Sequence, residues 1–148
     1  MVELKDNERI DYMYSDSLRI IQDKTAFSFS MDTLLLAYWA KGLIRDRDKV
    51  ADLCAGNCAA TIYMAYFNRA HYDAIEIQDE VYSQAVRSIE LNDMENRISV
   101  YRDNVLNAPK FLRKDSYDVV TVNPPYFKAP KGHEVNPDRK RQLRVMNY

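Results

Sequence analysis

The sequence predicts an α/β domain in which a parallel sheet of about four strands carries helices on both faces. Two observations predict it. Between residues 49 and 122, short apolar runs that read as strands alternate with helix-period runs. Such alternation folds into parallel strands joined by right-handed crossovers. The chain has 148 residues, 47% apolar and 29% charged, which suits one domain with an ordinary core.

Each element follows from its local pattern. Residues 1–24 are polar, with Tyr12, Tyr14, Leu18, Ile20 and Ile21 as anchors of a short strand or hairpin. Met31 to Leu43 reads as a helix buried nearly all round, with Ser30 or Asp32 in its first turn as cap and Gly42 near its end. Lys49 to Cys54 is a short buried strand, Asn57 to Phe67 an apolar helix, and Tyr72 to Ile77 a second strand. Asp79 to Asn92 is an amphipathic helix with Tyr82, Ala85, Val86 and Ile89 on its apolar stripe. Ile98 to Tyr101 is a third strand, Val105 to Leu112 a short helical or irregular segment, and Tyr117 to Val122 a fourth strand. The whole is one domain in three stretches. Residues 1–48 are an N-terminal extension and helix, 49–122 the strand–helix units, and 123–148 a proline motif with a basic tail.

Composition excludes several classes. The charged N-terminus is not a signal peptide, and no apolar run approaches the length of a membrane span. Cys54 and Cys58 lie four apart with only His71 and His133 for company, so no metal site is expected and both thiols suit a reducing cytoplasm. The net charge of −1 excludes binding to nucleic acid by bulk charge. That balance is uneven, however. Residues 123–148 hold six basic and two acidic side chains, a local +4 against −5 elsewhere. Only three glycines are present, too few for a G-x-G-x-x-G phosphate cradle, so any nucleotide site is built on one glycine.

Parallel sheets bind ligands beyond the carboxyl ends of their strands, and four candidate positions fall there. Strand one is followed by Cys54-Ala55-Gly56-Asn57, strand two ends at Glu76-Ile77, strand three is followed by Asp103-Asn104, and strand four by Asn123-Pro124-Pro125-Tyr126. Together they suit S-adenosylmethionine. Gly56 lets backbone approach the ligand at a turn into a helix. Asp52 orients an ammonium, Glu76 grips ribose hydroxyls about twenty residues on, and Asp103 accepts from adenine's amine. In the last segment, two prolines stiffen the turn and remove two donors. The Pro124 carbonyl and the Asn123 side chain can then converge on one NH2 group, with Tyr126 as a stacking face. This arrangement favours methylation of an amide or aromatic amine by positioning and electrostatics.

At these residues the chain resembles class I S-adenosylmethionine-dependent methyltransferases, most closely the bacterial tRNA(1)(Val) adenine-37 N6-methyltransferases. Phe27 to Asp32 followed by Leu34 to Ala37, Val50 to Asn57, and Asn123 to Phe127 carry the resemblance. The resemblance implies a Rossmann-like fold and transfer to the N6 amine of a flipped tRNA adenine stacked near Tyr126. Asn123, Pro124, Pro125 and Tyr126 would be catalytic. Phe27, Ser30, Asp32, Asp52, Cys54, Gly56, Asn57, Glu76, Ile77, Asp103, Asn104 and Asn123 would hold the cofactor. Tyr126, Phe127, Lys128, Lys131, Arg139, Lys140 and Arg141 would meet the tRNA. An N-P-P-Y motif also occurs in protein glutamine methyltransferases, and a non-catalytic fragment binding cofactor or RNA is a third reading.

Two departures from the family stand out. Cys58 occupies the usual place of a second glycine. The class I fold has seven strands and this chain supplies four, so it is expected to be a C-terminally incomplete domain. Its tail, Arg144-Val145-Met146-Asn147-Tyr148, fits either a single-base frameshift after Leu143 or a chosen truncation that ends in an unrelated tail. Such a chain is expected to have low stability and to self-associate through the edge at 117–122.

Overall fold

The computed structural model describes residues 2–25 and 29–124. The chain opens with a hairpin, β1 (Glu8–Tyr12) and β2 (Arg19–Asp23), antiparallel with Ile10 opposite Ile21. Leu18, Ile20, Ile21 and Gln22 are all buried. The hairpin docks on helix α3 (Asp79–Leu91). The Ile21 N–H donates to Ser88 Oγ at 2.9 Å, and Asn92 takes the Arg19 N–H while donating to the Arg19 carbonyl. At the hairpin's start, Arg87 forks onto Glu8 through two bonds of 2.6 and 2.7 Å.

Helix α1 (Met31–Ala40) is capped by Ser30, whose Oγ accepts from the Thr33 N–H. It is not buried all round, contrary to the expectation from its composition. Ala37 and Ala40 are its buried residues, whereas Met31, Leu35, Tyr38 and Trp39 are exposed. The helix rests on α2 (Ala59–Tyr66), and a single helix–helix contact occupies one stripe of small side chains. Apolar content alone therefore overstated its burial.

The central sheet has the order β5 (Ile98–Arg102), β4 (His71–Glu76), β3 (Lys49–Leu53), β6 (Val119–Val122). All three pairings are parallel. The strands of β4 and β3 are the most deeply covered, because each has neighbours on both edges and apolar layers on both faces. Val50, Tyr72, Ala74 and Ile98 join the main core with residues of the three α-helices. Ala51 and Ile75, one residue out of phase, point to the other face and pack with Leu112, Tyr101 and Phe111. That second face is covered by a 3-10 helix, Val105–Lys110, and the turn after it.

Two finer expectations change. On α3 the buried stripe is Gln84, Ala85, Ser88 and Ile89, with Val86 exposed. The hairpin supplies polar partners on that flank, so Gln84 and Ser88 replace Val86 on the inner face. The N–H groups of Asp118 and Lys49 are bonded across the β6 entry, and β6 itself begins only at Val119. At the far end of α2, Arg97 donates to the Ala65 and Asn68 carbonyls, where a cation suits the negative end of the helix.

Candidate active site

From β3 the chain passes to β4 and β5 on one side, then returns to place β6 on the other side of β3. The crevice between β3 and β6 is therefore the topological switch point, the place where open parallel sheets bind ligands. Leu53 pairs with Val122 in register. The turn beginning at Cys54 and the segment beginning at Asn123 thus leave adjacent strands at the same level.

The first turn is built on three left-handed residues, Cys54 (φ 62°), Gly56 (φ 62°) and Cys58 (φ 64°). Glycine takes this conformation without cost, whereas a side chain pays for it with strain. The turn is held by Glu76. One carboxylate oxygen accepts from the Gly56 N–H at 2.9 Å and the other from the Gln78 N–H at 2.9 Å. Glu76 is buried, so the acid at the end of β4 clamps the glycine turn at the end of β3.

The two cysteines answer the same backbone demand in different surroundings. Cys58 is fully buried and packs in the main core, while Cys54 is half-buried. Cys54→Gly is expected to raise stability by about 1 kcal/mol through relief of the left-handed side chain. Cys58→Gly gains the same relief but loses a buried side chain, so its urea midpoint should fall below that of Cys54→Gly by the equivalent of about 1–2 kcal/mol.

The other sequence-selected residues are distributed as follows. Asp52 is buried, and its two oxygens accept from Thr121 at 2.9 Å and Thr61 at 2.5 Å. It ties β3 to β6 and α2 directly under the switch point. Asn57 donates to the Ile21 carbonyl and so joins the turn to the hairpin. Ile77 is 58% exposed at the end of β4. Asp103 accepts from Asn107 at 2.7 Å and from the Asn104 N–H at 2.6 Å. These bonds, that from Asn107 foremost, hold its carboxyl below the ordinary carboxylate range. Asn104 caps the 3-10 helix through the Leu106 N–H.

The upstream segment reaches the proline motif through one hydroxyl. Thr33 Oγ1 lies 3.1 Å from Ser30 Oγ and accepts from Asn123 Nδ2 at 3.0 Å. Asp32 is exposed in the first turn of α1, and Pro124 is half-buried. Phe27, Pro125, Tyr126, Phe127, Lys128, Lys131, Arg139, Lys140, Arg141 and the last residues from Arg144 lie outside the described residues. Sequence reasoning missed Thr33, Thr61 and Thr121. The one available signal was Thr61, a hydroxyl inside an otherwise apolar helix.

An open cavity of about 530 Å³ lies at the opposite, amino end of β3, β4 and β5, among Arg47, Lys49, His71 and Arg97. It is not part of the switch-point crevice. Among the described residues, no helix is long and apolar enough to cross a membrane.

Comparison with known proteins is consistent with this geometry. Residues 19–138 match the family model described as methyltransferase small domain. A Dyadobacter fermentans protein named tRNA1(Val) (adenine(37)-N6)-methyltransferase is 31% identical over 73% of this chain and 43% of its own length. A protein of the same name from Flavobacterium johnsoniae is 30% identical over 72% of this chain and 45% of its own. The chain thus spans a little under half the length of the curated relatives it matches. Among solved structures, an Agrobacterium tumefaciens SAM-dependent methyltransferase superposes with a TM-score of 0.65 at 16% identity, covering 83% of this chain and 41% of its own. TYW2 of Pyrococcus horikoshii, in complex with MeSAdo, gives 0.65 at 20% identity, covering 78% and 42%. At these identities the superpositions establish the Rossmann-like fold.

Proposed function

We propose that this chain, which belongs to the methyltransferase small domain family, carries the cofactor-binding and amine-positioning parts of an S-adenosylmethionine-dependent tRNA adenine N6-methyltransferase. The observation that carries this reading is the pairing of Leu53 with Val122, which sets the Gly56 turn and Asn123 side by side at the switch point. The names of the relatives supply the nucleic acid, the base and the position, tRNA1(Val) adenine 37.

The residues present fit the cofactor. Glu76 spends one lone pair of each oxygen on the Gly56 and Gln78 N–H groups, and a carboxylate has further acceptor sites for two ribose hydroxyls. Exposed Ile77 offers an apolar contact for the adenine ring, and Asp103 an acceptor for its amine. The left-handed turn at Cys54, Gly56 and Cys58 brings backbone to the ligand, with Asn57 fixing it to the hairpin. Asp52 acts from below, as the group that holds the two strands of the crevice together. Ser30 and Asp32, with Phe27, border the methionine end. The bound cofactor supplies an electrophilic methyl group on sulfur. Asn123 and the Pro124 carbonyl hold and polarise the substrate NH2, and Pro125 stiffens the turn. Tyr126 and Phe127 stack on the base, and Lys128, Lys131, Arg139, Lys140 and Arg141 contact tRNA phosphates. A protein of this kind works in the cytoplasm, where its tRNA is.

Transfer of labelled methyl from the cofactor to unmodified tRNA, read at the N6 position of adenine, tests the proposal. Label appearing in protein glutamine, or in no acceptor although cofactor binds, would overturn it. Glu76→Gln puts an NH2 donor against the Gly56 or Gln78 N–H. It is expected to weaken S-adenosylhomocysteine binding ten-fold or more by calorimetry, the loss of one charge-assisted hydrogen bond. We also propose self-association through the outer edge of β6, where Val120 and Val122 are about half exposed and β3 is the strand's one partner among the described residues. Sedimentation that stays monomeric as concentration rises would remove that part.

A further inference from the structure

The amino ends of the strands, opposite the crevice, carry an exposed cluster of rings. Tyr14 in the hairpin turn, Tyr38 near the end of α1, and Tyr66 and Phe67 at the end of α2 are 57%, 64%, 42% and 38% exposed. Phe67 is the hub. Its ring centre lies 5.2 Å from that of Tyr14, 5.2 Å from Tyr63 and 5.1 Å from Tyr66. Lys41 links the cluster to α1, with its ammonium 4.2 Å from the Phe67 ring centre and 4.9 Å from that of Tyr38. Tyr14 and Tyr38 are therefore braced from inside and open outward.

The surroundings are cationic. Arg45 and Arg47 in the turn before β3, and Arg69 before β4, are exposed. Together with Lys41 they have no carboxylate at ion-pair distance among the described residues. The acids nearest in sequence, Asp46 and Asp48, accept backbone N–H groups from Arg69 and Arg45. The cavity beside this surface adds Lys49, His71 and Arg97, set against Asp48 and Asp73.

Exposed aromatic rings joined by Lys41, on the same end of the domain as the exposed Arg45, Arg47 and Arg69, match the needs of single-stranded nucleic acid. Every base has a face to stack, and every nucleotide a phosphate to neutralise. An apolar protein surface fits less well, since docking it on Tyr14 and Tyr38 would strip water from the Lys41 ammonium without giving it a counter-charge. We propose that Tyr14 and Tyr38, with Lys41 and Arg69, form a stacking site for single-stranded RNA at the amino end of the sheet, separate from the methyl-transfer crevice. The site does not depend on the cofactor or on transfer, so it is tested without either.

The test is fluorescence anisotropy of a labelled oligoadenylate of about ten nucleotides, titrated with the full chain and its variants without cofactor. Each residue to be changed is exposed or lies at a helix end, and circular dichroism checks that the fold is kept. The double variant Tyr14→Ala, Tyr38→Ala is expected to bind at least about ten-fold more weakly. Tyr14→Phe with Tyr38→Phe should bind like the wild type, because stacking survives loss of the hydroxyls. Lys41→Glu and Arg69→Glu should each weaken binding and flatten its salt dependence by about 0.7 in logarithmic slope, the value for one phosphate on a single strand. The proposal fails if the wild type does not bind, or if the alanine double variant binds as tightly as the wild type. It also fails if that variant changes only the sedimentation coefficient, which would make the face a contact between copies. Loss of methyl transfer with this binding intact would count against the active-site reading alone.

Discussion

Asn123→Ala is expected to lower methyl transfer about 10²–10³-fold, the usual cost of deleting one preorganised group that stabilises the transition state. S-adenosylhomocysteine affinity should stay within about two-fold, less than one hydrogen bond, because the proposed reading rests the cofactor on Glu76, Asp103 and the Gly56 turn and leaves Asn123 to the substrate amine; a larger loss would return Asn123 to the cofactor site. The reasoning starts from Thr33. Its hydroxyl accepts from Asn123 Nδ2 at 3.0 Å, which helps to fix the plane of the amide that the proposed reading sets against the substrate amine. The hydroxyl is itself placed by the Ser30 cap of α1. Thr33→Val should therefore give a smaller loss, about ten-fold, by loosening the amide without removing it. Single-turnover rates measured with saturating cofactor separate the two variants. Equal transfer by wild type and Asn123→Ala would end the catalytic assignment.

Arg87→Ala should be among the most destabilising substitutions in the domain, by about 3–5 kcal/mol, because it leaves a buried carboxylate without its cation. The Glu8 side chain is 1% exposed and Arg87 17%, joined at 2.6 Å. Arg87 also reaches the Glu3 carbonyl, so the pair fastens the start of the hairpin to α3. The bonds from Arg87 are the main reason that the Glu8 carboxyl titrates below its ordinary value of 4.5. A carboxyl whose value is lower in the folded state contributes stability above the unfolded value and loses it as pH falls through the folded one. Wild-type stability should thus decline below about pH 4.5. The gap to Arg87→Ala should narrow in the same range, as protonation removes the unpaired charge. Urea denaturation between pH 3 and pH 7 (roughly the span that brackets a carboxyl titration) reads both effects. A gap that is constant across this range would show that Arg87 acts by packing alone. The paired replacement Glu8→Leu, Arg87→Leu should recover most of the loss, as apolar substitutes for buried pairs do.

Several features were legible because they are local. The strand–helix alternation from Lys49 to Val122 appears within a residue or two of its expected bounds, since periodicity and turn residues act over a few positions. A cap of α1 at Ser30 or Asp32 was legible for the same reason, and the structure selects Ser30. The parallel sheet followed from the alternation, and the end-of-strand positions from the sheet. The exposed face of α1 was not legible. Leu35, Tyr38 and Trp39 look like core by composition, and only the number of neighbours a helix meets decides how much of it is covered.

The sequence by itself determined the fold class, the glycine turn after β3 and the positions of the acids at the strand ends. Tertiary structure decided what each acid does. Asp52 and Glu76 are alike as sequence features, yet Asp52 meets Thr121 across 69 residues and Glu76 meets Gly56 across 20. One became a girder beneath the crevice and the other the clamp of its turn. Those partners are set by strand order and register, which arise from contacts between distant segments. No local pattern carries that information, and the same holds for the bond between Thr33 and Asn123 that joins the two ends of the site.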